Sequence, residues 1–145
     1  VARLGERVVR PDYLPAAEVA ALLQGAGVFF FPTRYEGFGM PLLEGFAAGV
    51  PVLIGAAASV VEVAAGAARS APSEDVDGLA RGLRELALDP AQREKYVSLG
   101  RERLRSFSWA ASAERLEEIY RAAATRAPLP SWLGSSQPKE APCNP

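Results

Sequence analysis

Two carboxylates eight positions apart, Glu36 and Glu44, bracket the stretch of this chain whose residue types could do chemistry: Pro32-Thr33-Arg34-Tyr35-Glu36-Gly37-Phe38-Gly39-Met40-Pro41-Leu42-Leu43-Glu44. A carboxylate only accepts hydrogen bonds, and its two oxygens suit paired hydroxyls on a ligand. Between the two acids, Gly37 and Gly39 permit a tight turn and let a ligand come close to the backbone. Pro41 then sits where a helix begins, and a helix start offers unpaired amides and the positive end of its dipole. Such a terminus suits a phosphate. Amides for phosphate and carboxylates for hydroxyls together match a sugar nucleotide. The same letters also fit a plainer reading, with Gly-x-Gly as an ordinary turn, Glu36 as a solvated loop charge and Glu44 on an exposed helix face. Against the last stand Leu42, Leu43 and Phe46, which predict a largely buried helix in which a carboxylate must be paired or functional.

The elements around this stretch alternate strand and helix, the pattern of an α/β domain with a mainly parallel sheet. Arg7-Val8-Val9-Arg10 reads as a short strand stopped by Pro11, and residues 15–25 read as a helix with Val19, Leu22 and Leu23 on one face. Val28-Phe29-Phe30-Phe31 is a continuous apolar run of the kind buried on both faces of a sheet. Residues 41–48 form the helix of the chemical stretch, with Gly49 as its stop, and Val52-Leu53-Ile54 is a second buried strand. Together they make a βαβ unit with a right-handed crossover. The stretch from Pro32 therefore lies where a buried strand ends and a helix starts, the place where open α/β sheets bind ligands.

Further along, residues 60–65 read as a short helix and 67–70 as an edge strand. Three helices follow. The first spans residues 74–88 with Val76, Leu79, Leu83 and Leu86 on a stripe. Asp89-Pro90-Ala91-Gln92 looks like a capping box for the second, whose face carries Val97, Gly100, Leu104 and Phe107. Ser108 caps the third, which shows Trp109, Ala113, Leu116 and Tyr120. Residues 1–126 thus read as one domain, and 127–145, with five prolines among Ser, Gly and Lys, as a disordered Pro-rich tail.

Composition narrows the chemistry. The 145 residues contain no histidine, which excludes a histidine base, a Ser-His triad and a His-ligated zinc. Cys143 is the single cysteine, so neither an intrachain disulfide nor a cysteine metal site is available. A net charge of −1 gives no electrostatic reason to bind nucleic acid. No apolar run approaches the length of a transmembrane span. The first residues do not read as a signal peptide, and the sequence does not start with Met, as expected of a fragment or partial reading frame.

The stretch from Glu36 to Glu44 resembles the Glu-x7-Glu signature of the group 1 (retaining) glycosyltransferases. Residues 25–33 resemble the strand leading in, residues 47–53 the helix and strand leading out, Glu62-Val63 the Pro-Glu-Val element without its proline, and Phe107-Ser108-Trp109 the start of the family's C-terminal helix. The resemblance covers roughly residues 8–124. It implies a GT-B architecture, two Rossmann-like domains across a cleft, with this chain forming the later part of the C-terminal, nucleotide-sugar-binding domain. Glu36 would then occupy the catalytic position against the donor sugar's hydroxyls, amides of Gly37, Phe38, Gly39 and Met40 would line sugar and diphosphate, and Glu44 would hold the ribose hydroxyls. Tyr13 and Leu14 fall where the family often contacts the base. The family's Arg and Lys for the diphosphate lie upstream of Val1, and Arg34 is no replacement, reading as a solvated loop residue.

The function so implied is transfer of a hexose from a nucleotide sugar with retention, without metal or other cofactor. The acceptor, a sugar, a lipid-linked sugar or a small molecule, would be bound by a separate N-terminal half. A cytoplasmic location follows from the cytosolic supply of nucleotide sugars, with the inner membrane face reachable through that half. The alternatives are a non-catalytic nucleotide- or partner-binding remnant and another GT-B-shaped enzyme. A sugar-nucleotide epimerase usually needs histidine, which is lacking, and a phosphorylase needs a pyridoxal phosphate lysine, for which the contexts of Lys95 and Lys139 are unsuited. Expressed alone, a partial parallel sheet would expose an apolar edge and self-associate.

Overall fold

The computed structural model describes residues 4–134 and is α/β, as the alternating pattern predicts. The described residues divide into two compact units, the first ending at Ser106 and the second starting at Phe107. In the first unit α1 (Ala16–Gly25), β1 (Phe29–Phe31), α2 (Met40–Ala48), β2 (Val52–Ile54), α3 (Ala58–Ala64), β3 (Arg69–Ser70), α4 (Val76–Leu88) and α5 (Pro90–Leu104) follow in order. The sheet order is β1-β2-β3, parallel throughout, with Phe30 opposite Leu53 and Ile54 opposite Ser70.

Helices cover both faces of this small sheet, and small residues let them come close. On one face a Cβ at Gly45 of α2 would stand 2.8 Å from Phe29 and 3.1 Å from Val52. On the other, a Cβ at Gly82 of α4 would stand 2.9 Å from Leu53. Leu53 forms a buried cluster there with Ala71, Leu79 and Leu86, against which Val28, Leu83 and Tyr96 pack. β2 is fully buried because it lies between two strands and between two helical layers.

Several sequence expectations need correction. Residues 7–10 form no strand: Gly5–Arg7 is a 3-10 turn, and although Val8 is extended (φ −112°, ψ 114°), no described strand pairs with it. The run at β1 is not buried on both faces, since Phe30 is 38% exposed. It points to the face on which α4 is centred over β2 and β3, and β1 lies at the sheet edge. In the stripe of α4, Val76 is exposed because it is the helix's first residue, after the Asp75 cap, rather than part of a turn already running from Glu74.

The cap at Asp89 forms as the sequence predicts. Asp89 accepts from the amides of Ala91 (2.9 Å) and Gln92 (3.2 Å). The reciprocal half of a capping box is replaced, because the Asp89 amide donates to Glu85 O at the end of α4 (2.9 Å). The single aspartate therefore closes one helix with its backbone and opens the next with its side chain.

The second unit holds α6 (Trp109–Thr125), capped by Ser108, whose hydroxyl accepts from Ala111 N at 3.3 Å. The expected apolar face of α6 is exposed at Trp109, Leu116 and Tyr120. The chain returns instead along the stripe of Arg115 and Glu118. A 3-10 turn at Ser131–Gly134 brings Trp132 Nε1 to Glu118 (2.8 Å), with the Arg115 guanidinium over the indole ring. The remainder of the Pro-rich tail, with Cys143, lies outside the described residues.

Candidate functional site

The loop between β1 and α2 begins where the β1 backbone leaves the sheet. Its first turn is closed by the Thr33 hydroxyl, which donates to Tyr35 O at 2.9 Å. Gly39 then takes φ +96°, a left-handed conformation that a side chain would strain, and becomes the N-cap of α2. No side chain caps this helix, and Pro41 in its first turn has no amide to satisfy. The helix starts behind a bare glycine cap, with its positive dipole end at the loop.

Glu36 is half-buried, and its Oε1 accepts from the neighbouring Gly37 amide at 3.2 Å. Gly37, Phe38 and Met40 are exposed, and Gly39 is buried against α3. Arg34 is exposed and pairs with Glu74 at 3.4 Å, as its reading as a solvated loop residue requires.

Glu44 departs from the sequence expectation. It is not a buried carboxylate but an exposed one. Helical periodicity explains it: Leu42, Leu43, Gly45 and Phe46 turn inward, whereas Met40, Glu44 and Ala47 share the outer face. That face forms one wall of an open groove of about 470 Å³ between α1 and α2. Tyr13, Leu14, Val19 and Leu23 line the opposite side, and Glu44 is the one charged side chain on its walls among the described residues. The volume suits a small-molecule ligand. The structure thus brings Tyr13, Leu14 and Glu44 to one groove. Glu36, Gly37, Phe38 and Gly39 lie at the neighbouring turn, and Met40, one helical turn before Glu44, connects the two.

Several residues that hold this arrangement were not picked out by the motif. Ser73 Oγ donates to Thr33 O at 2.9 Å, and Ser59 Oγ donates to Glu36 O. Gly55 donates its amide to Phe31 O at 3.0 Å, and a Cβ there would come within 2.5 Å of Thr33 O. Two hydroxyls and one glycine from the segments after β2 and β3 therefore hold the loop against the sheet. Only Gly55 carried a signal, a glycine directly after a buried strand, which marks a close approach of backbone.

The family model described as glycosyl transferases group 1 matches residues 2–103. The chain belongs to this family. Among relatives of this glycosyltransferase chain, O-antigen chain mannosyltransferase B of Escherichia coli is 34% identical over 97 residues, covering 67% of this chain and 26% of that protein. A glycogen synthase of Mycobacterium tuberculosis is 36% identical over 116 residues, 77% of this chain and 28% of that protein. The solved sucrose-phosphate synthase of Thermosynechococcus elongatus superposes with a TM-score of 0.77 at 27% identity, over 86% of this chain and 32% of that one. The α/β layering is thus that of a GT-B glycosyltransferase, and the chain spans roughly a quarter to a third of the proteins it matches. Among the described residues no helix is long and apolar enough to cross a membrane.

Proposed function

We propose that this glycosyltransferase chain supplies the nucleotide-sugar site of a retaining hexosyltransferase. One observation carries the reading. The one charged side chain on the groove among the described residues, Glu44, stands one helical turn from the uncapped start of α2, which the Glu36-Gly37-Phe38-Gly39 turn leads into. Glu44 would take the ribose hydroxyls, with the base between Tyr13 and Leu14. Amides of Gly37, Phe38, Gly39 and Met40 would meet the diphosphate, and Glu36 the hydroxyls of the sugar.

In such a transfer, negative charge grows on the leaving diphosphate, and stabilising it is the main electrostatic task. The α2 start presents that stabilisation as fixed dipoles. Glu36 would orient the sugar rather than attack it. Two of the relatives are, by name, a mannosyltransferase and a glycogen synthase, which favours a hexose donor. The acceptor would come from a second domain, and the supply of nucleotide sugars places the reaction in the cytoplasm.

Calorimetric titration of the chain with UDP, GDP and ADP tests the reading. One nucleotide is expected to bind, and Glu44→Ala to abolish that binding. A demonstrably folded chain that binds none of the three overturns the donor site.

A further inference from the structure

We infer that Ser59 is a positioning residue for Glu36 and Gly37, fixing the peptide plane that joins them. The inference rests on the donor-site reading above. Ser59 lies in the first turn of α3, and its hydroxyl donates to the main-chain carbonyl of Glu36, a part-buried bond across 23 residues of sequence. A trans peptide is planar, so its carbonyl and its N–H point in opposite directions. Holding Glu36 O against α3 turns the Gly37 N–H outward. There it meets Glu36 Oε1 at 3.2 Å, so the same plane sets where the carboxylate rests.

This peptide needs a restraint. The residue after it is glycine, which adopts positive and negative φ with similar ease, so rotation of the plane carries little steric cost. Packing does not hold Gly37 either, since nothing stands within 4 Å of where its Cβ would be. With the plane reversed, a carbonyl oxygen would face the place proposed for sugar and diphosphate, and an acceptor would meet acceptors. The residue after Ser59 fixes the other end of the turn, because Val60 Cγ2 lies 3.3 Å from a Cβ built at Gly39. The first turn of α3 therefore supports the turn from 36 to 39 at both ends, and Ser59 supplies its polar contact.

The test uses the 145-residue chain as wild type, Ser59→Ala, Ser59→Thr and Ser73→Ala, followed by amide NMR and titration. Without ligand, Ser59→Ala is expected to shift the Gly37 amide resonance and speed its hydrogen exchange roughly 2- to 12-fold, the range of one lost hydrogen bond. Ser59→Thr, which keeps the hydroxyl, restores it. Ser73→Ala, which frees Thr33 O instead, leaves it in place. In titrations, Ser59→Ala weakens UDP-glucose or GDP-mannose by a similar factor, and UDP or GDP with it, while UMP or GMP, which lacks the β-phosphate and the sugar, binds as in wild type. An unchanged Gly37 amide overturns the inference, as does equal weakening of nucleoside monophosphate and sugar nucleotide, which signals general loosening. If Ser59→Ala fails to fold, Ser59→Cys, similar in size with a weak donor, replaces it in both measurements. A wild-type chain that binds no nucleotide refutes the donor site, whereas the Gly37 amide still decides whether Ser59 sets the plane.

Discussion

Gly55 is the residue at which the site tolerates least. It stands where β2 gives way to the loop before α3, with the Thr33 carbonyl and the Ser73 hydroxyl against it. A flexible side chain in the way could rotate aside, but the Thr33 oxygen belongs to the backbone of the functional loop. Gly55→Ala must therefore push that loop outward or strain the sheet end. Overpacking of this kind costs about 1–3 kcal/mol, and urea unfolding is expected to show a loss in that range. The loop should also lose affinity for nucleotide. Gly37→Ala makes the contrasting control, because open space surrounds it. A Gly55→Ala chain as stable as wild type would mean that the loop is held less tightly than Ser73 and Gly55 suggest. The acids illustrate what spacing reveals at this scale. Glu36 and Glu44 were legible as a pair, but the exposure of Glu44 was not, because its apolar neighbours mask the outer face it shares with Met40 and Ala47.

Among the elements, the junction of α4 and α5 depends most on a single side chain. Asp89 accepts two amides of α5 while its own amide closes α4. Asp89→Ala removes the side-chain half and is expected to cost about 1 kcal/mol, seen as a lower urea midpoint with an unchanged slope. Asp89→Asn, an equally good cap, should recover most of it; failure to do so would assign the effect to charge at the helix start instead. The βαβ core was readable because its punctuation is local: Pro32 ends one strand, Pro41 starts the helix, and Gly49 in the left-handed region stops it. The reading at residues 7–10 failed for the opposite reason. A strand is defined by its partner, and Val8 can be extended without one. The Ser59 and Ser73 contacts were hidden likewise, since they join residues 23 and 40 positions apart and no periodicity encodes a serine's distant acceptor.

At the scale of the whole molecule the sheet decides behaviour in solution. Among the described residues it has three strands, and β1 lies at its edge with Phe30 38% exposed. Leu22 of α1 is 59% exposed as well. An edge strand with unpaired backbone groups and an apolar side chain is a template for another strand, and natural proteins blunt such edges with charge, bulges or a covering element. β1 carries no charge: its residues are three phenylalanines. The chain alone is therefore expected to self-associate, its sedimentation coefficient rising with concentration. Phe30→Lys places a charge on the partly exposed position without touching Phe29, which packs on α2 at Gly45. It should shift the population toward monomer while nucleotide binding at Glu44 persists, because the groove lies between α1 and α2 and does not include Phe30. If Phe30→Lys and wild type sediment alike at every concentration, the contact does not run through β1, and the exposed side of α1 at Leu22 becomes the surface to substitute. If wild type is monomeric throughout, three strands with helices on both faces suffice to keep this edge from pairing.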